Sequence, residues 1–211
     1  FTGGGTNRTW QGTVTPLLNQ YGEDLTARSS QNDRRVIRLD IITQIQQALQ
    51  KAQTNNVLLI GDIGVGKDTL VQEIAQSIAT GHIQGQLWSK RIVQLDTAKL
   101  YAMSADQNDN FEARVQNILG EINRSGNIIL YLNDFNSAIQ TQNTGRISLF
   151  SLLQQSVSSG NLRIIGAITP REYHSLENTA ATFLNQFTTI TVAETNQEET
   201  THILHNESLI S

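Results

Sequence analysis

Residues 56–71, NVLLIGDIGVGKDTLV, set a short apolar run directly before a glycine-rich turn and a helix-compatible segment. Val57–Ile60 reads as a buried strand and Lys67–Ala79 as the helix after the turn. Gly61, Gly66 and Lys67 satisfy the phosphate-loop pattern G-x-x-x-x-G-K-[ST], and the strand–turn–helix context gives that match its weight. Backbone N–H groups along Asp62, Ile63, Gly64, Val65, Gly66 and Lys67 are expected to wrap a phosphate at a helix N-terminus, where the helix dipole favours an anion. Lys67 would reach the β- and γ-phosphates. The next position normally supplies a hydroxyl to Mg²⁺, and here it is Asp68. Two readings of that carboxylate stay open. It is a hard oxygen ligand for the metal, or a charge that repels the triphosphate and weakens metal binding. Thr69 has a hydroxyl but stands one residue late, about 100° further round a helix.

Outward from the loop, helical stretches alternate with short β-rich runs. Asp40–Ala52 is expected to be a helix, with Ile41, Ile42, Ile45, Ala48 and Leu49 in one apolar stripe. Arg91–Leu95, Ile128–Leu132, Leu162–Ala167 and Thr188–Val192 are further strands. Phe111–Asn123, Ile147–Val157 and Glu198–His205 are further helices. Such alternation predicts an α/β fold of three layers, αβα, around a central, mostly parallel five-stranded sheet.

The bulk properties narrow the function class. With 211 residues the chain can hold one sizeable core. A net charge of -4 argues against a surface built mainly for nucleic acid. There are no cysteines, hence no disulfide frame and no thiolate chemistry, which suits a reducing, cytoplasmic setting. No apolar run approaches the ~20 residues of a membrane span, so membrane contact by this segment is not expected. Because the chain begins at Phe1, a preceding region is expected to exist and is the one route to membrane tethering. His82, His174, His202 and His205 form no ligand set, and Trp10 and Trp88 read as packing residues.

The strand NIILYLNDFNSAI, 127–139, ends in Asn133 and Asp134. In a hydrolysing phosphate-loop enzyme an Asp holds the metal's water shell at the first of these positions, and an acid polarises the attacking water. With both segments placed, the chain resembles the first AAA+ ATPase domain of the Clp unfoldases and disaggregases, the ClpB/ClpC type. The similarity runs in order through LLNQYGEDLT (17–26), NNVLLIGDIGVGKDTLVQEIAQSIATGHI (55–83), KRIVQLDTAKL (90–100), FEARVQNIL (111–119), SGNIILYLNDFNSAI (125–139) and LLQQSVSSGNLRIIGAITPREY (152–173).

The resemblance implies roles for particular residues. The family's adenine-side stretch D-P-V-I-G-R falls on Asp33, Arg34, Arg35, Val36, Ile37 and Arg38, so its two ends and not its middle are kept. Asn133 stands at the metal-organising Asp, and Asp134 at the water-polarising Glu. Thr169 falls on sensor 1, with Pro170 behind it. Asn185 and Gln186 occupy the positions of the paired arginine fingers, a group worth 10³–10⁵ in rate where measured. The pore-loop stretch SADQNDN, 104–110, carries no aromatic to grip a threaded polypeptide.

The expectation is a Clp-like AAA+ module that has lost ATP hydrolysis and serves a structural or regulatory role. Residual binding of ATP or ADP with Mg²⁺ is expected to be weak or absent, and Asp68 is the one metal-ligand candidate. The alternatives are a divergent but active unfoldase and a nucleotide sensor that does not hydrolyse. Residues 1–16 are expected as a flexible tail, 17–193 as the AAA+ large subdomain and 194–211 as the start of a lid helix. The expected partners are other AAA+ subunits or another domain of a longer chain, together with protein partners.

Overall fold

The computed structural model describes residues 14–29, 38–83, 85–102, 111–139, 149–160 and 162–194. Pro16 opens α1 (Pro16–Tyr21), at a position where the missing N–H costs a helix nothing. A three-residue strand, β1 (Gly22–Asp24), and α2 (Leu25–Ser29) follow directly. Then come α3 (Leu39–Leu49), β2 (Asn56–Ile60), α4 (Lys67–Ala79) and a 3₁₀ turn at Gly85–Leu87. The order continues through β3 (Arg91–Leu95), α5 (Thr97–Ala102), α6 (Phe111–Ser125), β4 (Ile128–Leu132) and α7 (Phe135–Ile139). It closes with α8 (Leu149–Ser158), β5 (Arg163–Ile168), α9 (Pro170–Thr179), α10 (Ala181–Leu184) and β6 (Phe187–Thr191).

The strands form one sheet in the order β1-β3-β4-β5-β2-β6. The five strands expected from sequence are mutually parallel, and β1 adds a sixth, antiparallel to β3, pairing Gly22 with Leu95 and Asp24 with Val93. Side chains of a strand alternate between faces, and here that alternation sorts the interior into two cores. On β4, Ile128, Leu130 and Leu132 join one core and Ile129 and Tyr131 the other. On β5 the split is Ile164 and Ile168 against Ile165 and Ala167. The first core is closed by α6, α7, α8 and α10, and the second by α2, α3 and α4. Because both faces are covered, the central strands read as unbroken apolar runs, and all five residues of β4 are buried. Each buried Leu or Ile contributes about 1.5–3 kcal/mol, which is why the layers hold without disulfides.

The helix stripes sit as their spacing requires. Ile41, Ile42, Ile45, Ala48 and Leu49 of α3 are all buried, as are Phe111, Val115, Ile118 and Ile122 of α6. Segment 17–26, expected within the large subdomain, supplies α1, β1 and the start of α2. Two details differ from the sequence reading. Thr15, placed in the tail, is fully buried and accepts a hydrogen bond from Arg91. Trp88 is not a packing residue: it lies 55% exposed just after the 3₁₀ turn, with Leu87 taking the buried position. Val36, Ile37, Trp10, the stretch 104–110, the helix expected at Glu198–His205 and nearly all of the lid segment lie outside the described residues.

Candidate nucleotide site

The parallel strands bring their C-terminal ends to one edge, where a ligand is expected in an open α/β sheet. The loop leaves β2 there and enters α4 at Gly66, whose φ of 96° is a left-handed conformation that suits glycine. Gly64 has the same need, at φ 82°. Beside both glycines no heavy atom beyond the adjoining residues lies within 4 Å of where a Cβ would project, so the loop is open there. Asp62 and Ile63 form its exposed tip, and Val65 folds back against the α4-side core. The first N–H groups of the 13-residue α4 have no partners in a preceding turn of helix and no side-chain cap, which suits an anion. The loop therefore fits a nucleoside phosphate.

Lys67 donates from Nζ to the carbonyls of Gly61 (2.6 Å) and Asp62 (2.8 Å), curling over its own loop. Burial pushes its ammonium below the ordinary lysine value, opposed by the carboxylates of Asp68, Asp62 and Glu172. Asp68, on the first turn of α4, accepts a short hydrogen bond at Oδ1 from the phenol of Tyr131. Tyr131 is a fully buried residue of β4 on the face covered by α4. Burial first, and then the bond to Asp68 and its charge, raise the phenol far above the ordinary tyrosine value. Thr69 points to solvent.

Past β4, Asn133 and Asp134 are exposed and also line a cleft of about 520 Å³ formed with β1, β3 and the start of α5. The Asp134 carboxylate accepts the N–H of Ser137 at 3.0 Å, so it caps the short helix α7. Past β5, Thr169 is the N-cap of α9. Its hydroxyl accepts from the N–H of Glu172 at 3.3 Å, and the Glu172 carboxylate takes the N–H of Thr169 at 3.0 Å, a reciprocal capping box. Asn136 donates to the other oxygen of Glu172 at 3.3 Å, tying α7 to α9.

The structure thus gathers the loop, Asp68, Asn133, Asp134 and Thr169 along one edge. Asn185 and Gln186 belong elsewhere. They precede β6, whose Phe187 pairs with Asn56 at the start of β2, so they lie at the opposite edge of the sheet. Gln186 donates to Ser158 and accepts from Asn56 there. Arg38, the one described residue of the adenine-side stretch, donates to the carbonyl of Ala193 beyond β6. Two residues of the edge were not singled out from sequence, Tyr131 and Glu172. A tyrosine in an otherwise aliphatic strand signals a polar tip in need of a partner, and T-P-R-E carries the capping-box spacing.

For Mg²⁺ the donor set does not fit. Asp68 is committed at one oxygen to Tyr131, Asn133 offers an amide, and Asp134 is engaged at one oxygen by α7. Among the described residues no cluster of three acidic, histidine or cysteine side chains could hold a metal ion.

Comparison with known proteins places this geometry. The family model of the SMAX1 nucleotide binding domain matches residues 31–159. The chaperone protein ClpB of Rickettsia bellii is 35% identical over 191 residues, covering 89% of this chain and 22% of that protein. The solved S. cerevisiae Hsp104–ADP complex superposes with a TM-score of 0.77 at 29% identity, over 89% of this chain and 26% of that one. The closed state of Hsp104 with ATPγS and FITC casein gives 0.78 at 30%, over 90% and 32%. The chain therefore spans about a quarter of the length of such relatives. The family model covers more than half of the chain, and the chain belongs to the SMAX1 nucleotide-binding-domain family of Clp-type AAA+ proteins.

Proposed function

We propose that this chain is a Clp-type AAA+ module that binds a nucleoside phosphate at the 61–67 loop but does not hydrolyse it. The observation that carries this reading is the Asp134 carboxylate, which holds one oxygen on the Ser137 N–H as the cap of α7, at the position where the family resemblance expects a water-polarising Glu. Asn133 beside it brings no charge to organise a metal's water shell, and Asn185 and Gln186 bring none to a neighbouring subunit's site. The loop supports the binding half of the proposal, as do relatives solved with ADP or ATPγS. In this reading the module acts in a ring or within a longer chain, with other AAA+ subunits and protein partners, in the cytoplasm. No helix among the described residues is long and apolar enough to cross a membrane.

The test is ATP turnover by the protein that carries this chain, at saturating ATP and Mg²⁺, compared with its Lys67→Ala variant. Equal turnover by the two is expected, because any activity from another domain appears in both. Turnover by the wild type above that background would overturn the proposal in favour of a divergent, active unfoldase.

A further inference from the structure

We infer that this loop takes its nucleoside phosphate without a divalent cation, with Tyr131 as the positioning residue that holds the Asp68 carboxylate back from the phosphates. The inference rests on the binding half of the proposed function and adds to it the form in which the ligand is taken.

Position 68 follows the loop lysine, where a metal-binding hydroxyl is required if Mg²⁺ is to sit between protein and phosphates. The residue present is larger, charged and already engaged. Its Oδ1 accepts from Tyr131, and Tyr131 rises from a fully buried position on β4 under α4. With Oδ1 held in this way, Asp68 can meet a cation before the loop only through Oδ2, or else by breaking that bond. The phenol O–H would then be left in a site largely closed to water, where an unmade hydrogen bond is costly. Mg²⁺ demands near-octahedral geometry and gives up water reluctantly, so it needs well-placed oxygens. The other groups at this edge are poor substitutes. Asn133 is an amide, Asp134 caps α7, and Thr69 is exposed about 100° further round α4.

The groups that recognise phosphate are, by contrast, independent of a metal. They are the loop N–H groups about Gly64 and Gly66, the start of α4, and the Lys67 ammonium. Lys67 already has three carboxylates, Asp62, Asp68 and Glu172, close enough to act on its charge.

The experiment is calorimetric titration of ADP into the protein carrying this chain, in Mg²⁺ and in EDTA, with Lys67→Ala as background for any other site. The wild type is expected to bind equally in both media, within about twofold. Tyr131→Phe frees Asp68, and binding should then become stronger in Mg²⁺ than in EDTA. Asp68→Thr restores the hydroxyl and should do the same by about tenfold, a difference well above calorimetric error. It serves if Tyr131→Phe folds poorly. Asp68→Asn keeps an acceptor for Tyr131 and should tighten binding in both media alike. Wild-type binding that is tenfold stronger in Mg²⁺ overturns the inference, as does the absence of ADP binding in either medium. If neither Tyr131→Phe nor Asp68→Thr acquires metal dependence, the positioning role of Tyr131 is overturned. Each of these outcomes can be read separately from turnover, which alone decides the loss of hydrolysis.

Discussion

Tyr131 and Asp68 lie 63 positions apart in the chain, and one hydrogen bond joins the middle of the sheet to the first turn of the helix after the phosphate loop. A bond from a neutral donor to a carboxylate contributes about 1.5–3 kcal/mol when well buried, and Asp68 is exposed, so the lower end applies. Tyr131→Phe is expected to lower stability by about 1.5 kcal/mol at neutral pH, seen as a shift in the urea midpoint at constant m-value. The pH dependence follows from the raised phenol. The unfolded chain loses this proton near the ordinary value of 10.0 while the folded state retains it. The contribution is therefore complete below pH 10 and falls as the pH rises beyond it. The gap between wild type and Tyr131→Phe should close on titration to alkaline pH, and a constant gap would contradict the bond.

Gly166 permits the close approach of a ring. A Cβ at this position of β5 would stand 2.5 Å from Cδ2 of Phe135 and 2.8 Å from Cδ1 of Leu58. Phe135 is fully buried, packs edge-on against Phe187, and follows Asp134 directly in sequence. Gly166→Ala is expected to cost about 2 kcal/mol through overpacking in the centre of the sheet. The displaced ring would carry α7 with it. Loss of stability in urea with a normal far-ultraviolet spectrum is the expected result, and a neutral substitution would show that Phe135 has room to move.

How much of this was legible in sequence depended on what each feature requires. The β3 range Arg91–Leu95, the β4 range Ile128–Leu132 and the α4 range Lys67–Ala79 coincide with their sequence-based bounds, because continuous apolar runs and a glycine turn are local signals. β1 gave no such signal. Its three residues, Gly-Glu-Asp, have no apolar alternation, and only the exposed edge of β3 makes them a strand. Trp88 misled for the opposite reason: a large apolar side chain suggests burial, and Leu87 next to it fills the core instead. At the site, the type of each residue was readable and its partner was not. Asp68 raised two readings because nothing in its neighbourhood in sequence shows that Tyr131 reaches it.

Glu121 is a cap supplied from far away. From α6 its two oxygens accept the N–H groups of Leu17 (3.2 Å) and Leu18 (2.9 Å) at the start of α1. Those groups have no partner within the helix, and Thr15 offers no side-chain cap to them. Leu18 is fully buried against the core that α6 closes, so the carboxylate fixes how α1 is seated. Glu121→Ala should cost about 1–2 kcal/mol, the usual range for a lost N-terminal cap. Glu121→Gln keeps one acceptor oxygen and should cost roughly half as much. Hydrogen exchange of the Leu17 and Leu18 amides should rise in both variants, and unchanged exchange would rule the cap out.

Thr169 stands where the family resemblance places a sensor of the phosphates, yet its hydroxyl is engaged by the helix it begins. It accepts the Glu172 N–H and lies 2.8 Å from Oε2 of Glu172, which also holds the Thr169 N–H. If the cap is the whole role of this hydroxyl, substitutions should separate stability from affinity. Thr169→Ser retains the capping box and should leave stability within about 0.5 kcal/mol of wild type. Thr169→Val removes it and should cost about 1 kcal/mol, with a coupling of similar size to Glu172→Ala in a double-mutant cycle. ADP affinity should be the same in both variants, because the phosphate groups meet the loop and Lys67. Lys67 is the control for that step, since Lys67→Ala should abolish ADP binding while leaving the Thr169 cap intact. A Thr169→Val variant of full stability and weakened ADP binding would reverse the assignment, giving the hydroxyl to the ligand and not to α9.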